Sequence, residues 1–377
     1  MKRLTSPALP LGACLAAATL ASEPAGPPRD DGPAVLSRSA WVEQVEAYAR
    51  GERVAAIAAL GAWSERELER HVAQVEQASL AASRCPGCVH PLDGLPLKAA
   101  VMLHWDRDRE QSPQPASVEQ ERRCPGAVAK LAGRLARALA RRSPSDPFPK
   151  RFVRAVVLTS QWDACFDHAE RWADEALALY PREAVLLLDR GSVHEERAVL
   201  TRRPDRPVLA GSEASFVAVL RAEGFAHARR DFEQALGVDP GLALARLRLG
   251  RVLWRLGELE PARRELEAAL PATAQADLKG LAHLFLGRVH LDAGRLAEAT
   301  EDYRKAVELL PDALSPAVAL SHALGLAGDG ESARLALRGG LELAGRRPQR
   351  DPYLDYLVSN AAGLEPLWDD LRRESLR

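Results

Sequence analysis

The sequence predicts an all-α fold: a stack of helix–turn–helix repeats, an α-solenoid, preceded by a less regular helical part. Three observations predict it. Hydrophobic residues make up 47% of the 377-residue chain but aromatics only 5%, so contacts between elements must be thin and alanine-rich. Ala, Leu and Arg, all strong helix formers, recur throughout, whereas β-branched runs are scarce. A pattern of small and large apolar residues returns at near-constant spacing through the C-terminal half.

The N-terminus is a separate element. Lys2 and Arg3 precede an apolar stretch from Leu9 to Leu20 and then small residues, which reads as a secretory signal over 1–21 with cleavage after Ala21. The tetrapeptide "LGAC" ending at Cys14 also resembles a bacterial lipoprotein box, which would leave Cys14 as a lipid anchor. The expected location is therefore exported, periplasmic or extracellular; a cytoplasmic leader is the alternative. Residues 22–36 are Pro/Gly-rich and read as an unstructured linker. No internal apolar run approaches the length of a membrane span, and the net charge of −1 gives no overall field toward nucleic acid or an anionic membrane.

Residues 37–148 are expected to form an irregular helical region. A degenerate helix pair at 37–63 carries Tyr48, Gly51 and Ala56 at suitable spacing, and further helices are expected at 64–83, about 95–109 and 118–142. In the last of these Val128, Leu131, Leu135 and Leu139 make an apolar stripe, opposed by Arg134, Arg137, Arg141 and Arg142. A basic stripe of this kind is either a solvated face or a site for acidic partners or phosphates.

Cysteine chemistry is the other candidate. Removal of the leader at Ala21 leaves Cys85, Cys88, Cys124 and Cys165, an even number that permits disulfides in an exported chain. A helical run ends at Cys85 and none begins at Cys88, since Pro91, Gly94 and Pro96 follow; a thiolate at a helix C-terminus is disfavoured, which argues against redox catalysis. Cys85, Cys88, His90 and Cys124 are ligand types suited to zinc, but Cys124 lies 34 residues past His90 and there is no second CxxC. The reading that fits best is a structural disulfide among Cys85, Cys88 and Cys124, whose Cys-Pro-Gly turns match. Closing a loop of about 36 residues would stabilise by about 3–4 kcal/mol. Cys165 would then be a buried, reduced side chain. A thiol or zinc protein centred on Cys85 and Cys88 remains the alternative.

The array is expected over 149–345. Ala228, Ala262, Ala299 and Ala333 fall in one column, separated by 34, 37 and 34 residues. Four residues later stand Phe232, Leu266, Tyr303 and Leu337, and three further on Ala235, Ala269, Ala306 and Gly340. Upstream helices carry Leu249-Gly250 and Leu286-Gly287 and end at Gly257 and Gly294; Pro240 and Pro311 close two units. An earlier unit has Ala169, Ala176 and Pro181, with Ala173 in the large-residue slot, and the excess before Ala228 places an insertion near 197–213. About five helix pairs result, and residues 346–377 are expected to cap the last one, because a terminal repeat must cover its open apolar face.

A 34-residue helix–turn–helix unit with these slots resembles the tetratricopeptide repeat, and the chain as a whole resembles exported repeat proteins of GC-rich bacteria. The resemblance implies a right-handed α-solenoid whose first helices line a concave groove that binds a peptide or protein, with no cofactor and no catalysis. By repeat position it places Trp162, Glu195, Glu196, Arg251, Trp254, Arg255 and Arg288 in the groove. A Trp flanked by arginines suits an interface hot spot; a solvated groove wall is the alternative. The arginine-plus-asparagine clamp of chaperone-binding relatives is not reproduced. "GSVHEERA" has Ala198 where a zinc-protease helix needs a second His, and His283 and His290, seven apart on one helix, read as packing residues.

Overall fold

The computed structural model describes residues 127–142, 147–162, 165–200 and 212–346, with 66, 68–70, 72–73, 76, 351–353, 356, 367–368 and 370–371. The leader, the linker, the 37–63 pair and Cys14, Cys85, Cys88, His90 and Cys124 lie outside them. The described residues form helices and no strand.

Helix α1 (Ala127–Arg142) leads into five hairpins. These pair α2 (Pro147–Trp162) with α3 (Phe166–Leu179), α4 (Ala184–Leu200) with α5 (Ser212–Val238), and α6 (Ala243–Arg255) with α7 (Leu259–Ala269). Then come α8 (Ala276–Asp292) with α9 (Leu296–Leu309), and α10 (Leu314–Leu326) with α11 (Gly330–Arg346). Each helix packs on its neighbours in sequence, and the first helices of successive pairs also touch one another, α2 on α4, α4 on α6, α6 on α8 and α8 on α10.

The repeat columns explain the hairpins. Ala228, Ala262 and Ala299 are wholly buried, as small residues must be where two helix backbones approach. The glycines of the first helices face the large residues of the second: a Cβ on Gly191, Gly250 or Gly287 would come within 2.5–2.6 Å of Phe232, Leu266 or Tyr303. The ring or leucine thus occupies the space that the glycine leaves. Helices α6, α8 and α10 stop at Gly257, Gly294 and Gly328, each at positive φ. There the following N–H folds back onto a carbonyl five residues earlier, as in Arg295 N to His290 O at 2.8 Å. Pro181, Pro240 and Pro311 lie two residues beyond α3, α5 and α9, where proline disfavours a continued helix.

On α1, Leu131, Leu135 and Leu139 are buried as the stripe requires. Two of the four opposite arginines are engaged: Arg134 pairs with Glu69 and Glu76, and Arg137 with Glu175 at 2.7 Å.

The last repeat is not covered in the expected way. Leu326, Leu335 and Leu341 of α10 and α11 stay more than half exposed. The described residues of the 346–377 segment, expected to cap the array, lie instead along the inner face of the first helices.

Candidate partner-binding groove

Spacing along two first helices builds the centre of the groove. On α6, Arg248, Arg251 and Arg255 recur at three- and four-residue steps and share one face. Glu195 of α4 stands opposite, its Oε2 accepting from Arg248 at 2.7 Å and its Oε1 from Arg251. Glu195 and Arg248 are completely buried. A charge can persist there only because it is paired.

Described residues of the C-terminal segment lie against this face, from Asp351 on the last pair to Trp368 on the first. Asp351 accepts from the Ser315 N–H in the first turn of α10 (2.8 Å) and from the Tyr353 N–H (3.0 Å), so one carboxylate serves two helix starts. Tyr353 and Tyr356 pack on Phe285 of α8, with ring centroids 6.0 and 5.3 Å away. The Tyr356 ring lies 4.3 Å from the Arg248 guanidinium carbon and 5.3 Å from that of Arg251. Its hydroxyl donates to Glu195 Oε1 at 3.3 Å, and its carbonyl accepts from Arg248 at 3.3 Å. Trp368 reaches α2, where its Nε1 donates to Thr159 Oγ1 at 3.2 Å and its ring meets Phe152 edge-on.

Burial sets the ionisation. It raises the Tyr356 hydroxyl well above the ordinary range, helped by Glu195. It pushes the Glu196 carboxyl up to about 8, opposed by the Arg248 charge and the Gln161 amide and reinforced by Glu195. Glu196 is therefore neutral at pH 7 while Glu195 neutralises the arginines.

The groove residues expected from the sequence separate into two groups. Glu195, Glu196 and Arg251 come together but are buried. Trp254, Arg255 and Arg288 form a second cluster at the edge, with Arg255 and Arg288 guanidiniums 5.3 and 5.6 Å from the indole. Asp292 accepts from Trp254 Nε1 at 2.7 Å and pairs with Arg288. Arg255 is exposed, and no carboxylate among the described residues pairs with it; partial burial and the Arg251 charge lower its pKa. Trp162 ends α2, and its side chain lies outside the described residues. Sequence reasoning missed Arg248, although its spacing to Arg251 and Arg255 was a usable signal. It also missed Tyr356 and Trp368, whose placement 161 and 209 residues from their partners has no local signature.

The remaining candidates resolve differently. Cys165 is buried and disulfide-bonded, with its partner outside the described residues; it is not the reduced side chain expected. His283 and His290 do more than pack, each presenting Nδ1 to one oxygen of Asp302, at 2.9 and 2.8 Å, and so tying α8 to α9. His194 faces Asp231 at 3.5 Å and stacks edge-on against His227, and burial lowers its pKa. Among the described residues no group of three or more His, Cys, Asp or Glu is placed to hold a metal, and no helix is long and apolar enough to cross a membrane.

Two overlapping stretches, residues 220–284 and 280–313, match the tetratricopeptide repeat family. Among solved structures, MamA from Desulfovibrio magneticus RS-1 is 20% identical with a TM-score of 0.41, covering 53% of this chain and 97% of its own. A further MamA crystal structure gives 18% and 0.39, covering 51% and 96%. YrrB, described as a TPR protein with an unusual peptide-binding site, gives 19% and 0.38, covering 58% and 95%. Comparison with curated proteins finds no match.

Proposed function

We propose that this tetratricopeptide repeat protein is a non-catalytic interaction scaffold that holds a protein or peptide partner on the inner face of its first helices. One observation carries the reading: that face already holds polypeptide, gripping an aromatic segment through Glu195, Arg248, Arg251 and Thr159. Beside it, Trp254, Arg255 and Arg288 offer an indole between two guanidiniums, a combination suited to a partner that presents carboxylates. Export is part of the proposal, and the disulfide at Cys165 supports it, because such bonds persist in oxidising compartments.

The test is a charge reversal at the open cluster. Arg255→Glu with Arg288→Glu should remove the partner recovered by cross-linking from envelope extracts and leave the helical circular dichroism unchanged. Arg141→Glu, on the exposed side of α1, is the control. Recovery that survives the double reversal would sink the groove assignment.

A further inference from the structure

Three successive first helices end on chemically different residues at one repeat position. Helix α6 ends on Arg255, α8 on Asp292 and α10 on Leu326, each two residues before a glycine at positive φ. All three are exposed, Leu326 by 57%. Their charges are balanced differently. Asp292 is satisfied within the protein, pairing with Arg288 and accepting from the Trp254 indole. Arg255 has no carboxylate partner among the described residues, and the Phe225 and Trp254 rings flank it, with centroids 5.7 and 5.3 Å from its guanidinium carbon. Partial burial and the Arg251 and Arg221 charges all disfavour that cation, so a carboxylate beside it would relieve the site. On α10, Val318, His322 and Leu326 recur at four-residue steps and share one face. His322 is exposed and Val318 is 46% exposed, so an apolar strip continues the row one repeat beyond Arg288.

We propose that this row is a two-anchor site for an extended protein segment, a carboxylate side chain meeting Arg255 and an aliphatic side chain covering Leu326. The proposal rests on the inner face being the partner face and specifies what the partner presents there. The spacing follows from the stack. First helices of successive pairs touch, α6 on α8 and α8 on α10, and packed helices lie about 8–10 Å apart. Arg255 to Leu326 therefore spans about 16–20 Å, which an extended chain rising about 3.3 Å per residue crosses in about five or six residues. The anion is a carboxylate rather than a phosphate dianion, because among the described residues Arg288 is spent on Asp292 and Arg251 on Glu195, which leaves Arg255 to be matched. A segment that is acidic throughout fits less well, since Val318 and Leu326 gain only from an apolar neighbour.

Labelled synthetic peptides with one Glu and one Leu in a Gly/Ser scaffold give the test, the separation of the two being varied from about two to about nine residues. Fluorescence anisotropy with the full chain should show tightest binding at about five or six, and about tenfold weaker binding at either extreme. Arg255→Gln should weaken the matched peptide about tenfold and erase its advantage over a peptide with Gln in place of Glu. Leu326→Ser should erase the advantage over a peptide with Ala in place of Leu. Both positions are exposed, so the helical circular dichroism should not change in either variant. Binding that ignores the separation, or a preference for Glu that survives Arg255→Gln, would overturn the proposal. So would tighter binding of a phosphoserine peptide, or no binding of the matched peptide at about millimolar concentration. The readout is spacing in a synthetic peptide, so it fails separately from capture of an extract partner, which reports only whether the charged cluster is used.

Discussion

Replacing Glu195 by Gln keeps the side chain's shape and removes the one buried charge that neutralises Arg248 and Arg251. Breaking a buried ion pair on one side costs about 3–5 kcal/mol. The guanidinium side chains are 1% and 4% exposed and the carboxylate 0%, so solvent and salt screen little of this. The amide oxygen of Gln still accepts one hydrogen bond, worth about 1 kcal/mol, which leaves an expected loss of about 2–4 kcal/mol. For a body of this size that is a fall in Tm of roughly 5–15 °C. Thermal unfolding followed by circular dichroism reads the magnitude. Hydrogen exchange should place the loss at α4, α6 and Tyr356. Glu196→Gln at pH 6 is the internal control, because that carboxyl already holds its proton below about 8. A Glu195→Gln protein melting within about 2 °C of the parent would refute the charge-neutralisation argument.

Stability should decline as pH rises from the ordinary carboxylate range to about 8, since over that window the folded chain keeps a proton on Glu196 that the unfolded chain has released. The groups facing it, Glu195, Arg248, Arg251 and the Gln161 amide, all contribute, and Glu196→Gln should flatten the profile of Tm against pH. Glycine substitutions should change sign with position. Gly250→Ala drives a methyl into Leu266 at 2.6 Å and should cost about 1–2 kcal/mol net, whereas Gly237→Ala, with nothing within 4 Å, should gain up to about 1 kcal/mol; urea titration separates them. Helices α1 and α3 run parallel, with Gly133 beside Trp172 and Arg137 paired with Glu175, so Cys165 stands level with the start of α1. Cys124 precedes that start by three residues in sequence, and peptide mapping without reduction should join it to Cys165. A bond from Cys165 to Cys85 or Cys88 would refute that register.

The sequence by itself determined the hairpins. Helix pairing is local: Gly250 and Leu266 are sixteen residues apart, Gly287 and Tyr303 likewise, and the same small–large complementarity joins Gly191 to Phe232. The terminating glycines and prolines act through backbone sterics within one turn, so α6, α8 and α9 end where the sequence says they must. The Trp254 cluster was legible for the same reason, since repeat position alone places Arg255 and Arg288 beside the indole. Only the tertiary structure decided what lies in the groove. Spacing put Glu195, Glu196 and Arg251 on the inner face, but a face says nothing of its cover. The cover over Glu195 and Arg251 comes from a segment that begins 96 residues beyond the end of α6 in the chain, and its contact through Tyr356 leaves no periodic trace. The same limit separated Cys165 from its bond and His283 and His290 from Asp302. The pattern of one helix fixes which way a side chain points, and the partner it meets depends on how the other helices fold against it.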